Sequence, residues 1–69
     1  MPLTMVKIGE TNTIRRVGGN EATRKFLESL GLVVGAEIKV LSAMGGNVIV
    51  MIKDSRVAVN AEMARHIFV

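Results

Sequence analysis

The chain predicts a mainly β protein with one or two short helices, built on a small, strongly curved antiparallel sheet with a helix inserted after the second strand. Three observations lead there. Short runs of β-branched and aliphatic residues recur between Gly, Asn and Asp turn signals. One amphipathic stretch at helical spacing interrupts them just after Gly18-Gly19. With 49% hydrophobic residues and a single proline in 69 residues, the composition supports a core and not a disordered chain. A chain of this length forms one domain, residues 1–69, and buries only about 60% of the surface its unfolded form exposes.

Leu3, Val6 and Ile8 form a short lead-in that ends at Gly9, and ETNTIRRV at 10–17 has the composition of a strand. Ile14 and Val17 lie three apart, so one regular strand cannot turn both to the same face, and a bulge or an early strand end is expected. Gly18-Gly19-Asn20 breaks the strand. Asn20 is the predicted N-cap, with Glu21 in the first turn where an anion suits the helix dipole. A helix of about ten residues follows, with Ala22, Phe26, Leu27 and Leu30 as its inward stripe and Arg24, Lys25, Glu28 and Ser29 covering the rest. Gly31 fits the C′ position, and Leu32 packs back on Leu27 as in a Schellman cap.

Gly35 lets the chain reverse into AEIKVLSAM at 36–44, where Ile38, Val40 and Met44 alternate with Glu37 and Lys39. Gly45-Gly46-Asn47 is a hairpin turn. NVIVMIK at 47–53 is apolar on both faces, so Val48 to Ile52 is the predicted central strand. Asp54-Ser55 turns the chain into RVAV at 56–59. Asn60 caps a final short helix through Glu62, Met63 and Ala64, and Ile67-Phe68-Val69 returns as a closing strand. Five or six short strands with one inserted helix are most economically closed as a small antiparallel β-barrel of the SH3-like kind, because closure removes exposed edges.

The chain has no cysteine, which excludes disulfides and thiolate metal sites, and no apolar run approaches the roughly 18–20 residues of a membrane span. A cytoplasmic location without membrane insertion is expected. The net charge of +3 permits contact with an acidic partner, but the cations are scattered. Arg15, Arg16, Arg24 and Lys25 offer charge for phosphates, yet the two aromatics, Phe26 and Phe68, read as core and leave no stacking platform, so no nucleic acid is expected. The absence of Trp and Tyr argues against an aromatic groove for proline-rich peptides.

Catalysis finds no support. The lone histidine, His66, sits near a predicted helix end, and Ser29, Ser42 and Ser55 lie in no nucleophile motif. Glu62 and His66 are four apart and share a helix face, which makes them candidate ligands for Fe(II) or another divalent transition metal. Two ligands fall short of a site unless Glu10, Glu28 or a second copy contributes, and a histidine there also suits the helix dipole. Met5, Met44, Met51 and Met63 read as core filler.

The string LESLGLVVG at 27–35, of the form L-x-S-L-G-L-x-x-G, resembles the signature of the FeoA-like family. GETNTIRRVGG at 9–19 resembles that family's first strand and glycine turn. AVNAEMARHIFV at 58–69 has the spacing of its A-L-R-x-x-x-A-x-x-I-x-V finish at Ala58, Val59, Ala64, Ile67 and Val69. The resemblance covers residues 3–69 and implies a cytoplasmic, non-enzymatic SH3-like barrel without cofactor. Such a protein assists a membrane ferrous-iron transporter of the FeoB type, which carries its own cytosolic GTPase domain. Four positions depart from the pattern: Phe26 stands where a basic residue is common, Val34 for a proline, Asn60 for an arginine and Asp54 for a glycine. The expected partner-binding surface is the helix face with Arg24, Lys25 and Glu28, together with the corner Leu32-Val33-Val34, where at least one valine is exposed. Weak self-association is allowed for. The alternative is a metal-binding or metal-responsive module that uses Glu62 and His66.

Overall fold

In the structure, a computed structural model covering residues 1–69, Asn47–Ile52 is the central strand. Its Val48, Val50 and Ile52 point inward and are buried, while Ile49 and Met51 lie half-buried on the opposite face. The elements in chain order are a 3-10 turn Leu3–Met5, β1 (Thr11–Thr13), β2 (Arg16–Val17), α1 (Glu21–Ser29), β3 (Glu37–Met44), β4 (Asn47–Ile52), β5 (Ser55–Val59), α2 (Ala61–Ala64) and β6 (Ile67–Phe68). An antiparallel sheet of order β1-β3-β4-β5 and a two-stranded ladder of β2 and β6 wrap one core of twelve buried apolar residues. This is the expected SH3-like architecture, with α1 inserted after β2 and with the barrel left partly open.

The stretch read as one strand from 10 to 17 divides in two. β1 pairs with β3, and β2 pairs with β6 in the other ladder. Between them Ile14 N–H donates to the Ala36 carbonyl at 2.9 Å and Arg15 N–H to the Phe68 carbonyl at 2.7 Å. The chain changes sheets there, which is how Ile14 is buried and Val17 half-buried despite their spacing. The lead-in begins as a 3-10 turn at Leu3–Met5, with Leu3 buried and Met5 and Ile8 exposed. The two termini are joined, since Met1 N⁺–H donates to the Val69 carbonyl at 2.9 Å and Val69 N–H to the Met1 carbonyl at 2.8 Å.

α1 begins and ends as the sequence predicts. Thr23 N–H donates to Asn20 Oδ1 at 2.8 Å. Leu32 N–H donates to the Leu27 carbonyl and Gly31 N–H to the Glu28 carbonyl, the bond pair of a Schellman motif, with Gly31 at φ 91°. The inward stripe is narrower than expected, being Leu27 flanked by half-buried Thr23 and Leu30, whereas Phe26 and Ala22 are exposed. One residue turns the helix by about 100°, so Phe26 rotates off the stripe that Leu27 defines. Of the methionines expected in the core, Met5 and Met44 are exposed and Met51 and Met63 half-buried. Met44 loses its predicted inward phase because the register of β3 against β4 shifts between Val40 and Ser42, leaving Leu41 as a bulge.

The first hairpin turns on Gly45 and Gly46, both with positive φ, between the paired Met44 and Asn47. The second lies one residue earlier than predicted. Ile52 pairs with Ser55, so the loop is Lys53-Asp54, and Lys53 rather than Asp54 takes the left-handed conformation, at φ 54°. Asn60 caps α2 by accepting from Met63 N–H at 2.8 Å.

Two stability measurements follow from these turns. A Cβ on Gly31 would sit 3.1 Å from Ile52 Cγ2 in a backbone that L-residues avoid. Gly31→Ala should therefore cost about 1–2 kcal/mol, read as a thermal midpoint lowered by roughly 5–15 °C. Lys53→Gly should move the midpoint upward, by about 0.5–1 kcal/mol of added stability, because glycine relieves the left-handed strain.

Candidate docking surface

Five of the residues around α1 line one shallow groove: Val17, Arg24, Glu28, Val33 and Val34. Helical spacing explains the first pair of side chains, since Arg24 and Glu28 are four apart and lie together on one flank of the helix, away from Phe26. The Schellman turn explains the valines. It directs Leu32 into the core, fully buried, and the chain then closes a tight corner in which Ala36 N–H donates to the Val33 carbonyl at 3.1 Å and Gly35 N–H to the Ile14 carbonyl at 2.8 Å. Gly35 makes that corner with φ 92°. Val33 and Val34 are left at its tip, 40% and 65% exposed.

The six residues expected to bind a partner therefore divide. Arg24, Glu28, Val33 and Val34 converge on the groove. Lys25 faces outward, where its Nζ lies 3.1 Å from Glu21 Oε1 in an exposed i,i+4 ion pair. Leu32 is removed from the surface, because its side chain is part of the core. Val17 joins the groove unforeseen, since only the change of sheets at Ile14–Arg15 brings β2 alongside this flank. Arg24 and Glu28 form no ion pair, the Lys25–Glu21 contact being the single one in the molecule.

Glu62 and His66 also meet, in a depression they share with Thr23, Asn60 and Met63. His66 is half-buried against the Gly18-Gly19 turn, where a Cβ on Gly19 would come within 3.4 Å of its Cγ. Asn60 Oδ1 is already engaged as the α2 cap. No group of three His, Cys, Asp or Glu side chains converges anywhere in the chain. Glu10 instead accepts from Asn12 Nδ2 at 3.3 Å, and Glu28 belongs to the α1 groove. Of the cations considered for phosphate contact, Arg16 lies over the Phe68 ring, 4.3 Å from its centroid, while Arg24 and Lys25 are placed as above. Phe68 is half-buried, so neither aromatic is the core residue that the sequence suggested.

The whole chain, residues 1–69, matches the FeoA domain family. The protein belongs to that family. A Methanocaldococcus jannaschii protein that bears the name Fe(2+) transport protein A is 29% identical over 68 residues, which span 99% of this chain and 83% of that one. The solution structure of FeoA from Chlorobium tepidum superposes with a TM-score of 0.89 at 28% identity, over 99% of this chain and 67% of that one. The zinc complex of Stenotrophomonas maltophilia FeoA, described as an SH3 domain protein, shares the fold with a TM-score of 0.85 at 22% identity, over 99% and 87% of the two chains. No helix of this FeoA domain is long and apolar enough to cross a membrane.

The division between core and groove is measurable. Leu32→Ala should lose about 2–4 kcal/mol of unfolding free energy in urea titration, as a buried leucine truncation does. Val34→Ala should change it by less than about 0.5 kcal/mol.

Proposed function

We propose that this FeoA domain is a non-enzymatic, cytoplasmic accessory of ferrous iron uptake. It docks on the cytosolic, GTPase-bearing part of an FeoB-type membrane transporter and modulates that transporter's assembly or nucleotide-driven cycle. Family membership and the relative named for Fe(2+) transport support the transport setting. The observation that carries the docking reading is the pair of exposed valines at a hydrogen-bonded tip beside an unpaired arginine and an unpaired glutamate. An apolar centre with charged groups at its margin is the usual composition of a protein interface, and the charges guide the encounter.

The test is capture of the purified cytosolic transporter domain, with and without GTP, at two salt concentrations. Val34→Glu should weaken capture at least tenfold while leaving the thermal midpoint unchanged, since the side chain is outside the core. Arg24→Glu should slow association and flatten its salt dependence. Unchanged affinity in Val34→Glu would overturn the assignment of this corner.

A second reading has one observation in its favour, the meeting of Glu62 and His66 in one depression. In it the protein is a metal-responsive module in which these two side chains hold Fe(II) or a similar divalent ion, with water or a second copy completing the coordination. Titration with Co(II) followed by visible absorption decides it: a ligand-field band lost in His66→Gln supports the site, and no band rejects it.

A further inference from the structure

β5 is an edge strand with one side unpaired. The sheet order places it outermost beside β4, and no residue from 55 to 59 takes part in a backbone bond outside that pairing. The two-residue loop Lys53-Asp54 makes Ile52 and Ser55 the first exchanged pair, so Val57 and Val59 also bond to β4. The N–H and C=O groups of Arg56 and Ala58 therefore face outward. An exposed edge of this kind is a template for another strand. It has none of the usual protections, since β5 contains no proline and no bulge, and its single charge is Arg56.

The side chains beside this edge form a second groove, which shares no residue with the one beside α1 and is lined by Leu41, Ser42, Ile49, Arg56, Val57 and Ala58. Register sets Arg56, Met51 and Lys39 in one row across β5, β4 and β3. Lys53 joins Lys39 and Met51 in the adjoining depression, where Glu37 is the one carboxylate. None of Lys39, Lys53 and Arg56 is ion-paired. The face thus combines outward backbone donors and acceptors, an apolar floor and three free cations.

We propose that the β5 edge accepts an extended acidic segment of a partner protein by strand addition. Its main chain would bond to Arg56 and Ala58, its carboxylates would lie on the Arg56 face, and its apolar side chains, alternating to the other face, would lie against Val57. This inference is independent of docking through α1. A second copy is the poorer occupant, because each carries a net +3 and antiparallel pairing of β5 with β5 brings two unpaired Arg56 side chains onto one face.

The probe is a ten-residue capped peptide of alternating glutamate and valine, titrated into the isotopically labelled full chain and followed by amide shifts, with a lysine–valine peptide as comparison. The expected result is saturable shifts centred on Arg56 and Ala58 for the acidic peptide and none for the basic one. Ala58→Pro removes an outward N–H without touching the β4 ladder, and Arg56→Glu reverses the charge; each should weaken binding at least tenfold. If Ala58→Pro does not fold, Arg56→Glu and the shift map still decide. Shifts confined to α1, equal binding of the basic peptide, or full affinity in the two variants would overturn the proposal. Self-association in sedimentation velocity that Ala58→Pro abolishes would overturn it in favour of a second copy. Using a chain that carries Val34→Glu keeps the outcome separate from transporter docking.

Discussion

Ile14 gives its backbone N–H to the Ala36 carbonyl and accepts from Gly35 N–H, and the next N–H, that of Arg15, goes to Phe68 in the other ladder. These three bonds lie where the chain leaves the four-stranded sheet and enters the two-stranded one, with the Ile14 side chain buried between them. They hold three separate things. The crossing fixes β2 against β6, which places the start of α1. It anchors the Gly31–Gly35 corner from the Gly35 end. It also draws the C-terminal segment toward the first strands, where the joined termini complete the wrap. A protein without disulfides and with a core of twelve residues has few other means of holding its two sheets together.

The shape of the proposed docking corner follows from that arrangement. Gly31 and Gly35 both adopt left-handed backbone, one ending the helix and the other turning toward Ile14, so Val33 and Val34 are held from both sides. At the other end of the sheet the opposite holds. β5 is regular, open on one side and backed by a partly apolar groove. The two surfaces thus differ in kind, one a preformed corner and the other a template.

Much of this was legible because local chemistry dictates it. Asn20 and Asn60 cap as their residue type demands, Gly31 ends α1, Gly45-Gly46 makes a hairpin, and Val48 to Ile52 is central. What escaped depends on long-range placement. The odd spacing of Ile14 and Val17 announces an irregularity, but only partners at the far end of the chain turn it into a change of sheets, in that Arg15 bonds to Phe68 and Val17 pairs with Ile67. The bulge at Leu41 has no glycine to mark it, so Met44 looked inward. Phe26 looked like core because helical periodicity alone does not say how narrow a stripe a small barrel end can cover. Val17 and Leu32 exchanged roles at the docking surface for the same reason, since neither burial nor exposure of a corner residue is a local property.

The string LESLGLVVG resolves physically into two sets. Leu27 and Leu32 are buried, Leu30 is half-buried, Gly31 and Gly35 hold left-handed turns, and Ser29 Oγ donates to the Phe26 carbonyl at 2.6 Å. Every specified position of the L-x-S-L-G-L-x-x-G pattern therefore serves the helix, its cap, the core or the corner turn. The three unspecified positions are Glu28, Val33 and Val34, and all three line the groove. A pattern of this kind identifies the fold through residues that shape the helix end and the corner, and it leaves the residues of the groove free to differ. If the groove is the docking surface proposed above, specificity for one partner over another resides in Glu28, Val33 and Val34 with Arg24 and Val17 beside them, where substitutions cost little stability.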